Sequence, residues 1–299
     1  NFGGRFSRMR DVEIADVYGD GADALAVATH DQGIVAILRP DDQGGFAVQE
    51  IDREPDTFVH EIETGDLDGD GVVEVYATPS EPNRLDGRAQ KGSVVRYVPA
   101  KDEGRVVVAD LGMRHAKEIL VDDVDGDGRD ELYVAVEGEM DPETTTLPNG
   151  EEIRRLAHGV EIRRFDAGTD PSAGVTVAEI PDRLSRFLTA GDIDGDGQKE
   201  MVVATFSQGL WLLRPGPDGQ WELQSFDKKS GGFEHASILA DLDEDGLDEL
   251  YVASDNEKLV RQYRWKGNRL VGRVIYRRKD PGSVFTWNVM PVPVELVPR

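Results

Sequence analysis

The 299-residue sequence predicts an all-β protein of the β-propeller class, and three observations lead there. A nine-residue aspartate-rich template recurs along the chain, β-rich segments fill the intervals between its copies, and none of those intervals carries a helical period. Four copies read D-x-D-x-D-G-x-x-E. They are Asp66, Asp68, Asp70, Gly71 and Glu74; Asp123, Asp125, Asp127, Gly128 and Glu131; Asp192, Asp194, Asp196, Gly197 and Glu200; and Asp241, Asp243, Asp245, Gly246 and Glu249. An earlier, degenerate copy keeps Asp16 and Asp20, with Asp23 beside them, but has Tyr18 at the third position and Ala24 at the ninth. Successive first aspartates stand 50, 57, 69 and 49 residues apart, room for four short strands per repeat.

After each acidic turn comes a β-rich second strand, at 24–29, 73–77, 131–135, 201–205 and 249–253. Third strands are read at 33–38, 93–97 and 209–213, followed by Gly, Pro and Asp turns such as 214–219. Fourth strands close the unit at 46–50, 105–109 and 270–275, after which the chain enters the strand that leads to the next acidic turn. Five such units make five four-stranded blades in a single domain over residues 1–295, with repeats beginning near 10, 60, 117, 186 and 235. Residues 284–294 resemble an opening strand without an acidic turn. They can cap the fifth blade, pair with the N-terminal strand, or begin a sixth blade that residues 1–10 complete. The last four residues, Leu296, Val297, Pro298 and Arg299, read as the remnant of a cleaved tag.

With 34 Lys and Arg against 59 Asp and Glu, the formal charge is −25, which argues against nucleic acid or an anionic membrane as partner. No apolar run reaches the roughly 20 residues of a membrane span. The absence of Cys excludes disulfides, thiolate metal sites and a cysteine nucleophile. No phosphate-binding loop, dinucleotide fingerprint, nucleophile elbow or H-E-x-x-H motif occurs.

A hard divalent cation needs six to eight oxygens at short range, and carboxylates at alternate positions of a tight turn supply them. Glycine at the sixth position lets the backbone turn, the seventh carbonyl (Val72, Arg129, Gln198 or Leu247) is a further oxygen, and the ninth residue closes the cage. An EF-hand would need an acid at position twelve, where this chain has Ala77, Val134, Val203 or Val252. The pattern resembles the calcium loops of FG-GAP or VCBS-type repeats, as in integrin α-chain propellers. That resemblance implies bound Ca2+ at four sites, with a degenerate fifth at Asp16 and Asp20, and it implies a secreted, periplasmic or cell-surface location. It departs in one respect: family loops commonly end in Asp, and these end in Glu. The expected role of the metal is to staple each hairpin.

Six residues before each first aspartate stand Arg10, His60, Lys117, Arg186 and His235, all basic in an acidic chain. A propeller would gather these positions at the mouth of its channel, close to His30, Asp31, His115 and Asp255, on the face that also carries the long connections 79–92 and 137–158. Two readings stand side by side: a salt-bridged ring that stitches blades together, or an anion-binding mouth suited to a uronic-acid sugar. Trp211, Trp221, Trp265 and Trp287 are expected to pack between blades. The function expected is that of a monomeric, calcium-stabilised binding or adhesion module for a glycan or protein. The alternatives are a polysaccharide lyase using His60 or His235 as base, and a structural domain of a larger surface protein.

Overall fold

In the computed structural model, which describes residues 9–81, 89–148, 150–216, 219–279, 282 and 285–292, twenty-two strands form five four-stranded antiparallel sheets and one separate hairpin. Among the described residues no α-helix occurs; a 3-10 turn spans Pro99–Lys101 and Gly219 is also in 3-10 conformation. Each sheet is a blade in simple up-and-down order. The first comprises β1 (Met9–Ala15), β2 (Ala24–Thr29), β3 (Ile34–Pro40) and β4 (Phe46–Arg53), and the second β5 (Phe58–Gly65), β6 (Glu74–Glu81), β7 (Lys91–Val98) and β8 (Glu103–Asp110). The third comprises β9 (Ala116–Asp122), β10 (Glu131–Val136), β13 (Val160–Phe165) and β14 (Val175–Ile180). The fourth holds β15 (Ser185–Gly191), β16 (Glu200–Thr205), β17 (Leu210–Pro215) and β18 (Trp221–Asp227), and the fifth β19 (Ser237–Ala240), β20 (Glu249–Ser254), β21 (Leu259–Trp265) and β22 (Leu270–Arg277). All five acidic turns join the first strand of a blade to its second, as expected.

The second strands read as continuous apolar runs because both of their faces are covered; β10 and β16 are buried from end to end. Fourth strands alternate and lie exposed, as edges do. The long connection 137–158 is no loop. Its residues pair as a two-stranded ribbon, β11 (Glu139–Thr146) with β12 (Glu152–His158), standing apart from the third blade. Residues 285–292 form no strand among the described residues; Thr286 donates its N–H to Asp255 at 3.1 Å and its hydroxyl accepts from Arg278 at 2.6 Å. The expectations placed on residues 1–8, 82–88, 283–284 and 293–299 lie outside the described residues.

The chain divides into two compact units, one built on the first three blades (residues up to 123, and 127–179) and one on the last two (from residue 180, with 124–126). Within the first, β1 lies beside β5 and β5 beside β9. Buried Val17, Val75, Val95, Ile62 and Tyr97 fill the space between blades one and two, and Tyr76, Ile119, Leu132 and Phe165 that between two and three. In the second unit Val202, Leu212, Leu250 and Tyr263 do the same. At about 25 cal/mol per Å2 of apolar surface, these contacts supply most of the drive to fold.

A polar latch also sews neighbouring blades. The eighth residue of the third turn, Asp130, accepts the Asp66 N–H of the blade before it at 2.8 Å, and Asp248 of the fifth turn accepts the Asp192 N–H at 2.9 Å. The residue ahead of each latched aspartate is glycine, because a Cβ on Gly65 would stand 2.2 Å from Val121 Cγ1 and one on Gly191 2.5 Å from Asp248 Oδ2. The unlatched turns carry Ala15, Asp122 and Ala240 there. Gly191→Ala is therefore expected to lower unfolding free energy by about 2 kcal/mol, and by clearly less in an Asp248→Ala background, where the clash is gone. Urea denaturation of the two single variants and the double variant checks this.

Candidate metal centres and the strand ends opposite them

The first aspartate organises each turn. Its carboxylate accepts the N–H of the sixth-position glycine, from Gly21 to Asp16 at 2.7 Å, Gly71 to Asp66 at 2.7 Å, Gly128 to Asp123 at 3.0 Å, Gly197 to Asp192 at 3.0 Å and Gly246 to Asp241 at 2.9 Å. The fifth-position aspartate in turn accepts the seventh N–H, as Asp127 does from Arg129 at 3.0 Å and Asp196 from Gln198 at 2.8 Å. Glycine is required at the sixth position, where φ runs from 83° to 91° over the four intact turns. The fourth position is left-handed as well, and in the fifth turn a non-glycine residue, Glu244, occupies it at φ 58°.

The ninth-position glutamates are buried. Glu74 and Glu200 accept the second-position N–H groups of Leu67 and Ile193 at 3.1 and 3.0 Å, and the hydroxyls of Tyr76, Tyr133 and Tyr251, two residues further on, donate to Glu74, Glu131 and Glu249. Burial, reinforced by Asp194 and Asp196, pushes the Glu200 carboxyl up to about 7.

An arginine from the third strand of every blade reaches these acids. Arg39 meets Asp20 at 2.6 Å, Arg96 meets Glu74 at 2.8 Å, Arg164 meets Glu131 at 3.4 Å, Arg214 meets Asp194 at 3.1 Å, and Arg264 meets Asp243 and Glu249 at 2.5 and 2.7 Å. Sequence reasoning missed them. The available signal was a lone Arg 22 or 23 residues after the first aspartate in blades one, four and five, displaced in two and three by longer connections.

The donor set still fits a cation. Ligand oxygens within 4.8 Å of one another come from Asp66, Asp68 and Asp70; from Asp123, Asp125, Asp127 and Glu131; from Asp192, Asp194 and Glu200; and from Asp241, Asp243 and Asp245. Asp123 Oδ1 and Asp194 Oδ1 are buried without a hydrogen-bond partner, a state that a bound cation would relieve. Glu74 and Glu249 stand outside those groups, held by their Arg and Tyr partners. In the first turn the Tyr18 ring stands where an Asp would, under the Arg39 guanidinium at 4.8 Å, and Arg39 already neutralises Asp20.

At the other end of the strands, the basic positions share a backbone feature. The pairing of the first strand with the second shifts register at Arg10, at His60 and Glu61, at Lys117 and at Arg186, so these residues sit on β-bulges, which re-aim side chains. The Arg10 side chain lies outside the described residues. The other four are buried. In the first unit, the His60 ring Nδ1 is 3.2 Å from the Lys117 carbonyl, Lys117 pairs with Glu137 at 3.2 Å, and His115 meets Glu137 at 3.1 Å. His30 bonds Asp31 at 3.2 Å and stacks on Phe58. Carboxylates collect beside them: burial raises Glu63 well above the usual range, with Glu13, Asp11 and Glu118 adding to it, and burial together with Asp11 takes Glu13 up to about 7.

In the second unit Arg186 pairs with Glu234 at 2.6 Å beneath the Phe233 ring. His235 accepts or donates between Ser230 Oγ at 2.7 Å and the Thr205 carbonyl at 2.9 Å, and burial lowers it to about 4. The same strand ends carry a row of rings. Phe206, Phe233, Phe285 and Trp287 follow one another at 6.4, 5.8 and 6.0 Å between centroids, and Phe233, Phe285 and Trp287 are 45, 44 and 53 % exposed. Exposed Arg183 lies over Phe206 at 4.9 Å. Trp287 is thus corrected from an interior residue to a surface one, since it sits beyond the last strand and not within a sheet. Trp265 does pack inward, against Arg214 at 4.2 Å. A separate pocket of about 100 Å3 on the second blade, lined by Ser80, Glu81, Lys91, Arg105 and Asp110, has room for only about three waters.

Four-stranded blades that each open on an acidic turn define a β-propeller repeat protein with turns able to hold metal. Residues 192–252, which contain the fourth and fifth turns, match the FG-GAP-like repeat family. The same template recurs in the second and third turns, so four turns of the chain are similar to FG-GAP/VCBS-type repeats. None of the curated protein sequences matches it. Among solved structures, a glucose dehydrogenase aligns over 90% of this chain and 89% of its own at 11% identity and a TM-score of 0.50. An Agrocybe aegerita lectin that recognises non-reducing terminal N-acetylglucosamine aligns over 91% and 81% at 12% identity and 0.41, and the soluble aldose sugar dehydrogenase of Escherichia coli over 90% and 89% at 10% and 0.42. At these identities the likeness concerns the fold alone, and the glucose dehydrogenase carries it.

The low value for His235 gives the second unit an acid weakness. Unfolded, the imidazole takes its proton near 6.5; folded, it stays neutral down to about 4, so the unfolded state binds more protons between those values and stability falls as pH drops through that window. The loss from pH 7 to 5 is expected to be on the order of 2 kcal/mol, and His235→Gln should flatten it. Urea titrations of both proteins at the two pH values measure the difference.

Proposed function

We propose that the chain is a calcium-stapled extracellular binding module that recognises a glycan through the strand ends opposite its acidic turns. The observation that carries this reading is the row of exposed rings Phe233, Phe285 and Trp287, with Arg183 at its rim. Monomeric proteins seldom leave clustered aromatic surface in water without a partner for it. The rings, 5.8 and 6.0 Å apart and inclined by 58° and 63°, form an apolar surface on which a sugar face can pack, and a guanidinium beside them suits a carboxylate-bearing sugar.

Calcium serves the frame in this reading. Asp66, Asp68, Asp70 and Glu74, with the corresponding acids of the third, fourth and fifth turns, gather more negative charge than their arginines offset, and the metal supplies the balance. Only oxygen donors are present in these turns, which favours Ca2+ over softer ions, and millimolar Ca2+ outside cells would keep them filled. The first turn, with Arg39 on Asp20, is the weakest of the five.

Two measurements test the proposal. Excess EDTA should lower the melting temperature by about 5 °C or more, with recovery on adding Ca2+; an unchanged melt removes calcium from the reading. On a glycan array, Trp287→Ala and Phe285→Ala should each weaken binding by about tenfold or more without changing the melt, and Arg183→Ala should abolish any preference for acidic glycans. Capture of a protein ligand by the same surface, with no glycan bound, would assign the row to protein recognition.

A further inference from the structure

A second set of metal-type donors lies apart from the acidic turns. His60 and Glu61 on β5 and Glu118 on the adjacent β9 each place one ligand atom within 4.8 Å of the other two. Consecutive residues of a regular strand point to opposite faces, so His60 and Glu61 should not meet at one point. The bulge allows it: β5 shifts register against β6 between Val59 and Ile62, and Thr78 fixes the displaced backbone by accepting the Glu61 N–H at 2.9 Å. A bulge of this kind recurs at Lys117 on β9, which carries the Lys117 ammonium to Glu137, while Glu118 remains with the β5 pair.

The histidine is oriented as a ligand would be. Its Nδ1 faces the Lys117 carbonyl at 3.2 Å. A carbonyl can only accept, so Nδ1 carries the proton and the neutral ring presents Nε2 as its basic nitrogen. A backbone carbonyl behind a ligating imidazole is the usual second partner that sets tautomer and direction at zinc centres. His60 and Glu118 are buried, and the Glu118 charge is felt at Glu63, three residues along β5 from His60. The His30 ring, 5.7 Å from the His60 ring, is the nearest further imidazole.

We propose that His60, Glu61 and Glu118 form a divalent metal site of the zinc class, chemically distinct from the acidic turns, which ties the inner strands of the second and third blades together. One imidazole nitrogen with two carboxylates matches Zn2+ coordination, whereas Ca2+ prefers oxygen alone.

The full chain, saturated with Ca2+ so that the turns are filled, is titrated with Zn2+ by calorimetry. One equivalent is expected, with affinity reduced about tenfold or more in Glu118→Gln and in His60→Gln, and unchanged in His158→Gln, which leaves the site intact. Equal Zn2+ affinity in parent, Glu118→Gln and His60→Gln overturns the proposal. Should either variant fail to fold, crystals of the parent soaked in Zn2+ decide the matter by anomalous scattering at the zinc edge. A peak between His60, Glu61 and Glu118 supports the site; zinc found only at the acidic turns or on surface histidines overturns it.

Discussion

The bond from the sixth-position glycine N–H to the first aspartate is the interaction on which the rest of the structure depends. It closes a tight turn between the first and second strands of every blade, including the degenerate first one, where Asp16 and Gly21 keep it at 2.7 Å. Once that turn is closed, the second strand leaves in register with the first, and the ninth residue at its start points inward. The third strand then brings an arginine to the same carboxylates, and at two places the eighth residue reaches the turn of the neighbouring blade. Side-chain chemistry at one end of the sheet thereby sets pairing along its length.

Much of this was legible in the sequence because it is local. Alternate aspartates, a glycine that must be left-handed, and an apolar second strand fall within about fifteen residues, and each copy reinforces the others. What escaped notice depends on partners far apart in the chain. Asp130 and Asp248 look like spare acids of their own turns until the Asp66 and Asp192 N–H groups of other blades arrive, 64 and 56 residues away. The arginines are anonymous surface residues until β-pairing folds them back. Strand β11 mixes Pro, Asp and Thr without alternation, so its sequence does not mark the ribbon β11–β12 as paired. Trp287 is expected to pack between blades from its place in or beside an outer strand, and the chain path beyond β22 puts it outside.

The five basic positions show how a correct count can leave the role open. Counting back six residues does land on equivalent places, and the structure explains why they are equivalent: the four within strands coincide with a β-bulge in the opening strand. A bulge re-aims its side chain without committing it to solvent, and the four described here are buried. Lys117 and Arg186 are matched to Glu137 and Glu234, and His235 is neutral between a hydroxyl and a carbonyl. An exposed cation near these strand ends in the second unit is Arg183, three residues before the counted position and outside its strand.

Arginine and a metal ion are complementary partners of the acidic turns. The third turn sets Asp123, Asp125, Asp127 and Glu131 against Arg164, whereas the first sets Asp16 and Asp20 against Arg39. By formal charge the first retains one negative charge and the third retains three. An arginine also arrives from the side of the third strand and takes the oxygens that face it, as Arg264 takes those of Asp243 and Glu249, so it cannot occupy the centre of the turn. Oxygens are left over, among them the buried, partnerless Asp123 Oδ1 and Asp194 Oδ1. With Tyr18 and Ala24 at the third and ninth positions, the first turn lacks that surplus and is held by one arginine and the ring of Tyr18.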